Sequence, residues 1–100
     1  MSQDDNRTKA IELARSVLHL TGEWQEQCAA LLEAVEQGNE QRAFSIGNAI
    51  MDSDNGPVSV SRYATSCFCA LPLLFVEDYI AYALCERYAD YATRTEDEMT

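Results

Sequence analysis

Positive charge is scarce in this 100-residue sequence. Seven basic side chains stand against 17 acidic ones, which gives a formal net charge of −10, and Lys9 is the only lysine. Such an imbalance repels nucleic acid and anionic membranes, and it attracts basic surfaces. Because the basic residues also do not cluster, the sequence argues against direct binding to nucleic acid or to a membrane.

Turn-forming residues are also few, with four glycines and two prolines. The glycines are isolated from one another, so the sequence contains no glycine-rich phosphate-binding loop. Hydrophobic residues make up 47% of the chain, which is more than acidic disordered chains contain. We therefore predict a single folded domain over residues 1–100, with frayed tails at residues 1–6 and 95–100.

The sequence lacks both a signal-peptide pattern and a long hydrophobic run. Its N-terminus is polar and acidic, whereas a signal peptide begins with a basic and then an apolar stretch. The most apolar segment, residues 67–76, contains Pro72 and is too short to cross a bilayer. We expect a cytoplasmic protein whose four cysteines are reduced thiols.

Apolar residues recur at helical spacing along most of the chain. This pattern predicts an all-α fold, a single compact bundle of four to five helices. The clearest stripe consists of Trp24, Cys28, Leu31, Leu32 and Val35. The predicted helices cover approximately residues 6–19, 23–37, 40–51, 59–71 and 73–93. Valine and serine alternate over residues 58–61, so a short extended segment is an alternative there.

Local signals predict where the first three helices begin and end. Thr21 and Gly22 should end the first helix, with Thr21 capping the second. Gly38 should end the second helix, with Asn39 capping the third. Gly47 lies inside the third helix, where glycine costs about 1 kcal/mol relative to alanine. We expect the close approach of another helix at that glycine.

Pro72 separates the fourth and fifth predicted helices. A proline can kink one long helix or occupy the first turn of a new one, and we favour the break. The fifth helix then begins near Leu73. The residues on or near its predicted buried seam are Val76, Tyr79, Ile80, Ala83, Leu84, Arg87 and Tyr91.

The turn-rich run at residues 52–56 suggests a calcium loop, but its spacing is wrong. An EF-hand loop requires glycine at position 6 and glutamate at position 12. Counted from Asp52, Gly56 falls at position 5 and Tyr63 at position 12. We therefore predict an ordinary turn at this run.

The cysteines and the single histidine do not form a recognisable site. Cys67 and Cys69 are two residues apart, so on a helix they point about 200° apart and cannot share a tetrahedral metal ion. A zinc site would also need Cys28, Cys85 or His19, and no spacing requires that. We expect no metal, no cofactor and no catalytic residue, with the cysteines acting as small hydrophobic side chains.

Acidic side chains follow two parts of the chain. On the fifth helix, Tyr82, Glu86 and Asp90 recur every four residues on one outward face, and Glu77 and Asp78 extend the acidity at the helix start. A second negative zone contains Glu26, Glu33, Glu36 and Glu40, together with Asp52 and Asp54. Tyrosine among carboxylates is typical of protein-binding surfaces, and spaced carboxylates can imitate a row of phosphates. The alternative is that both faces only keep the protein soluble.

In size, acidity and absence of motifs, the whole chain resembles the small helical proteins that phages and plasmids use against host defence, of which anti-CRISPR proteins are the clearest example. The resemblance implies a non-enzymatic inhibitor that binds a partner protein with a basic surface. Its acidic helical surface would block a nucleic-acid-binding complex, as a DNA mimic or by steric exclusion of target DNA. No residue motif carries the resemblance, so it transfers no functional residue to this chain.

The alternative function is that of a small acidic helical chaperone, immunity protein or antitoxin that masks a partner's surface. Its partner contact would be more apolar, and an exposed apolar patch on residues 67–76 would favour this class. A homodimer would also bury a left-over apolar face of a small bundle.

Overall fold

The structure, a computed structural model, describes residues 3–53 and 60–99, with side chains described within residues 5–52, 61–77 and 79–92. The α-helices are α1 (Gln3–Val17), α2 (Gln25–Glu36), α3 (Glu40–Ser53), α4 (Val60–Ala70) and α5 (Asp78–Met99). Short 3-10 helices lie at Leu18–Leu20, Gly22–Trp24 and Leu71–Phe75. Over the described ranges there is no strand, so the predicted all-α bundle is confirmed.

The helices pack as two layers that share one core. The most extensive contacts of α5 are with α4 and α1, whereas α2 packs chiefly against α3. Helix α1 begins at Gln3 and α5 continues to Met99, so both helices extend into the segments predicted to be frayed tails. Residues 54–59, which hold most of the calcium-like run and the start of the alternative extended segment, lie outside the described residues.

The junction between α2 and α3 forms as the sequence predicts. Gly38 adopts a positive φ of 73°, its N–H donates to the Val35 carbonyl at 3.1 Å, and the Asn39 N–H donates to the Ala34 carbonyl at 2.9 Å. These two bonds satisfy the last carbonyls of α2 in a Schellman motif. The Asn39 Oδ1 then accepts the Arg42 N–H at 3.2 Å, which caps α3.

The break after α1 is also confirmed, but the predicted cap is wrong. Gly22 has a φ of 60°, a conformation that glycine adopts without steric cost. The Thr21 hydroxyl points back and donates to the Leu18 carbonyl at 2.7 Å, and it makes no cap bond to the helix that follows. Thr21 is fully buried, so its hydroxyl must find a partner nearby.

The predicted buried seam of α5 is wrong for most of its residues, although Leu84 does pack against the core. Val76 is 66% exposed, Tyr79 is 68% exposed and Tyr91 is 47% exposed. Ala83 and Arg87 are exposed as well, while Ile80 and Leu84 are half-buried. The face that α5 buries consists of smaller residues, namely Ala81, Cys85, Ala89 and Ala92.

Small side chains on the neighbouring helices explain why α5 buries its face of small residues. Ala10 and Ala14 of α1 and Ala64 of α4 are fully buried, so the helices that flank α5 also present little side-chain bulk. The Cys67 thiol of α4 donates to the Cys85 carbonyl of α5 at 3.5 Å, and the Cys85 thiol donates to the Cys67 carbonyl at 3.3 Å. These reciprocal bonds from side chain to backbone bring α4 and α5 close together.

Pro72 breaks the chain as predicted, but α5 begins later than expected. The proline lies in the first turn of the 3-10 helix Leu71–Phe75, and α5 begins at Asp78 instead of near Leu73. The Glu77 N–H donates back to the Leu73 carbonyl at 2.6 Å, which closes the turn between the two helices. The 3-10 helix includes Leu73, Leu74 and Phe75, which the sequence pattern assigned to the start of α5.

Gly47 lies against the Pro72 ring, which confirms that a close approach explains this glycine. A Cβ atom at position 47 would stand 2.8 Å from the Pro72 Cγ atom. Both residues are buried, and a proline ring cannot rotate away as a flexible side chain can. The missing side chain therefore sets how closely α3 approaches the 3-10 helix Leu71–Phe75.

We predict that Gly47→Ala destabilises the protein although alanine favours helix. The gain in helix propensity is about 1 kcal/mol, and overpacking of a core costs about 1–3 kcal/mol. Urea denaturation should show a net loss of about 1 kcal/mol in the free energy of unfolding. In a Pro72→Ala background the same substitution should be neutral or stabilising. Equal losses in both backgrounds would contradict the contact.

Candidate binding groove

An open groove of about 470 Å³ lies where α3, α4, α5 and the 3-10 helix Leu71–Phe75 meet. Its walls are mainly apolar, and its volume falls within the range of about 300–1,000 Å³ that is usual for ligand sites. The residues that line this binding groove are Phe44, Gly47, Asn48, Met51, Ser66, Cys69, Ala70, Pro72, Leu73, Leu84 and Tyr88. Four of the elements that surround the core thus contribute to one concave surface.

Several large side chains border the groove without being covered. Met51 is 60% exposed, and Phe44, Leu73 and Leu84 are half-buried. Phe44 also contacts Phe75 with ring centroids 6.3 Å apart, which fixes one end of the α3 wall. Exposed apolar surface that is concentrated around a groove is typical of a site that another molecule covers.

A pair of stacked tyrosines continues the wall between α4 and α5. The rings of Tyr63 and Tyr91 lie with centroids 4.3 Å apart and planes inclined by 29°. Tyr63 is one turn from Ser66, and Tyr91 is one turn from Tyr88, so the pair lies just beyond the groove. A hydrogen bond with Tyr91 raises the pKa of Tyr63. Tyr91 therefore belongs to an exposed aromatic surface instead of to the predicted seam.

The predicted acidic face of α5 does not point wholly outward. Tyr82 is half-buried and packs against the core, and its hydrogen bond with Glu86 raises the pKa of the Tyr82 hydroxyl. Tyr82 and Glu86 share a shallow depression with residues of α1, among them Lys9. Asp90 is exposed. The prediction of one solvent-facing row is therefore wrong for Tyr82, because the neighbouring helix α1 covers part of it.

The start of α5 carries the other two predicted acidic residues. Glu77 is exposed, and it lies directly before the helix. Asp78 is the first residue of α5, and its side chain lies outside the described residues. Glu77 precedes Glu86 by nine residues, a rise of about 13 Å along a helix. Glu77 therefore lies apart from Glu86, and its N–H bonds to the carbonyl of Leu73, a residue that lines the groove.

The second predicted zone is exposed on α2 and α3. Glu26, Glu33, Glu36 and Glu40 are all exposed. Glu36 forms an ion pair with Arg15, and the Glu33 carboxylate accepts a bond from the Gln37 amide at 3.1 Å. Helix α2 packs chiefly on α3, whereas α5 packs chiefly on α4 and α1, so the two acidic zones belong to different sets of packed helices.

Basic side chains of α1 form contacts with other residues of the protein. Arg7 donates to the Val35 carbonyl near the C-terminus of α2, where a cation is favoured by the helix dipole. The same guanidinium lies 5.3 Å from the centre of the Phe75 ring, a cation–π contact. Lys9 pairs with Asp5 at 3.6 Å. These contacts hold two basic side chains of α1 against partners within the protein, and many carboxylates remain exposed.

The cysteines divide into three buried thiols and one on the groove wall. Burial raises the pKa of the Cys28 thiol to about 12. A hydrogen bond with Cys85, together with burial, raises the pKa of Cys67. Cys69 is half-buried and lines the groove. Within the described part of the chain, no group of three or more histidine, cysteine or acidic side chains could hold a metal ion. His19 is exposed in the 3-10 helix Leu18–Leu20.

The sequence interpretation missed the groove as a site. Phe44 and Met51 belong to α3 and Leu84 belongs to α5, and only the tertiary structure brings them together. Two signals pointed toward this region, namely the costly Gly47 inside a helix and the turn at Pro72. They indicate a close approach, but they do not show that an open groove forms beside it.

Comparisons with known proteins place this chain in no family. No protein-family model matches it, and neither the curated proteins nor the solved structures contain a similar protein. In the helices that the structure describes, none is both long enough and apolar enough to cross a membrane. The candidate site is therefore inferred from the geometry of this structure alone.

We predict that Cys69 is the one cysteine that reacts rapidly with a thiol reagent in the native protein. The other thiols are fully buried, and the raised pKa of Cys28 and Cys67 keeps these two protonated at pH 8. Titration with Ellman's reagent should show one fast thiol, which Cys69→Ser removes, and three that react only after unfolding. Two or more fast thiols in the wild-type protein would contradict the burial of this cluster.

Proposed function

We propose that this protein is a non-enzymatic binding protein that masks a surface of a partner protein. The observation that carries the proposal is the open apolar groove of about 470 Å³ on a chain of net charge −10. The segment 67–76 contributes Cys69, Ala70, Pro72 and Leu73 to this groove. An accessible apolar surface on that segment is the feature that favours the chaperone, immunity-protein or antitoxin class.

The chemistry of the groove supports binding more than catalysis. Its polar side chains are Asn48, Ser66, Cys69 and Tyr88, and among the described lining residues there is no carboxylate or histidine. Acid–base or nucleophilic catalysis needs a group of suitable pKa beside the reacting atoms. Apolar walls with a few hydrogen-bonding groups are instead typical of recognition sites.

The charge of the protein favours a basic partner, such as a nucleic-acid-binding protein. When the groove holds such a partner, the exposed carboxylates of this chain occupy space near the partner's basic surface and exclude nucleic acid by charge and by bulk. This is the anti-CRISPR-like form of the proposal, an inhibitor that acts in the cytoplasm on a nucleic-acid-binding complex. In this proposal the groove binds the partner protein, and the exposed carboxylates of the rest of the chain prevent nucleic acid from binding to it.

We predict that Met51→Glu prevents partner capture, whereas Tyr79→Glu does not. Both side chains are exposed, so both variants should fold, and both add the same charge. Met51 lines the groove, whereas Tyr79 lies five residues before Leu84, about 140° around α5. In parallel pulldowns with quantitative mass spectrometry, the partner should be recovered with the wild type and Tyr79→Glu, and at least about tenfold less with Met51→Glu.

The purified partner then gives the functional readout. Wild type and Tyr79→Glu should inhibit its binding to DNA or RNA, and Met51→Glu should not. If Met51→Glu captured and inhibited the partner as well as Tyr79→Glu did, the groove would not be the site. If the double variant Glu86→Lys with Asp90→Lys abolished capture instead, the acidic face of α5 would be the contact.

A further inference from the structure

We infer that Cys67 and Cys85 are a redox pair, which on exposure to a peroxide forms a disulfide that locks α4 to α5. The two cysteines face each other across the helix interface, and they enclose a segment that forms part of the groove. The role of this pair does not depend on what the groove binds, so it goes beyond the proposed function.

The two thiols lie against each other's residues between α4 and α5. The Cys67 sulfur is 3.5 Å from the Cys85 carbonyl oxygen, and the Cys85 sulfur is 3.3 Å from the Cys67 carbonyl oxygen. Both residues are fully buried. A disulfide needs side chains that face each other on residues that lie close together, and this reciprocal arrangement supplies both conditions.

A second contact shows that the facing arrangement belongs to the whole interface of α4 and α5, which pack extensively on each other. Tyr63 of α4 stacks on Tyr91 of α5 with ring centroids 4.3 Å apart. Tyr63 precedes Cys67 on its helix, whereas Tyr91 follows Cys85, so the two helices are antiparallel. Ala64 lies between the two contacts on α4 and is fully buried, and its small side chain lets the two backbones stay close.

A disulfide between Cys67 and Cys85 joins residues 18 positions apart. The loop that it closes contains the 3-10 helix Leu71–Phe75 and the first turns of α5. Five residues that line the groove lie within this loop, namely Cys69, Ala70, Pro72, Leu73 and Leu84. Closing a loop restricts the unfolded chain and thereby stabilises the native state. Oxidation of the pair therefore holds this side of the groove in its native arrangement.

The reaction removes two electrons from the pair, and a peroxide is an oxidant small enough for a buried site. One thiol loses its proton and attacks a peroxide oxygen, the O–O bond breaks, and a sulfenic acid and one water molecule result. The facing thiol then attacks the sulfenic sulfur, the S–S bond forms, and the sulfenic oxygen leaves as a second water molecule. Two thiols and one hydrogen peroxide thus give one disulfide and two waters.

The environment of the pair makes the first step slow. A hydrogen bond with the Cys85 side chain, together with burial, raises the pKa of Cys67, and only a thiolate is nucleophilic. The half-buried Cys69 on the groove wall should therefore react with peroxide before the pair does. We expect the pair to stay reduced under brief exposure and to form the disulfide under sustained exposure.

Thiol counting in a Cys69→Ser variant tests the inference, because this substitution removes the thiol on the groove wall. After sustained treatment with hydrogen peroxide, the variant should lose two of the three thiols that remain from the four cysteines of the chain, and dithiothreitol should restore both. Trypsin combined with a glutamate-specific protease cuts after Glu77, which places Cys67 and Cys85 on separate peptides. Mass spectrometry should recover these two peptides linked to each other.

The matched control adds Cys85→Ser to Cys69→Ser, and its serine hydroxyl can still donate to the Cys67 carbonyl. Circular dichroism checks that both variants fold. Oxidised Cys69→Ser protein should unfold at least about 10 °C above its reduced form. The control should yield no linked peptides and should unfold at the same temperature before and after treatment with peroxide.

Three results would overturn the inference. The first is a Cys69→Ser protein that stays reduced after many times the period that oxidises Cys69 in the wild type. The second is a disulfide to Cys28 instead of one between Cys67 and Cys85, since that would join different helices. The third is a lower unfolding temperature for the oxidised protein, because a disulfide that strains the fold cannot lock it.

Discussion

The close packing of small side chains around α5 is the constraint on which the rest of the structure depends. Ala81, Cys85 and Ala89 face the core, and the reciprocal bonds between Cys67 and Cys85 join α4 and α5 at short range. Helices that meet through small residues approach closely, so larger side chains on the same helix must turn toward its edges. A larger residue on this face would separate α5 from both neighbouring helices.

This packing also produces the groove. Once α5 buries its small face, Leu84 and Tyr88 remain half-buried along its edge and form one wall. The opposite wall belongs to α3, whose distance is set by Gly47 against Pro72. The 3-10 helix that contains Pro72 fills the space beneath but does not cover the opening. The candidate site thus follows from two contacts that small residues make possible. One is the packing of the small buried face of α5, and the other is the contact of Gly47 with Pro72, and both position larger residues around the groove.

Charge and shape contribute different parts of the proposed function. Apolar surface gains free energy when it is covered, whereas under the proposal the exposed carboxylates would select among partners and increase the rate of encounter. Arg7 and Lys9 form contacts within the fold, and the chain as a whole carries a net charge of −10.

The sequence by itself determined the all-α class and most of the helix boundaries, because these depend on local chemistry. Gly38 and Asn39 end one helix and cap the next through bonds among near neighbours, and the break at Pro72 follows from its missing N–H. Only the tertiary structure decided which face of α5 is buried. That helix carries apolar residues on several sides, and the choice depends on how closely α1 and α4 approach. The groove was beyond sequence reasoning for the same reason, since its walls come from helices that only folding brings together.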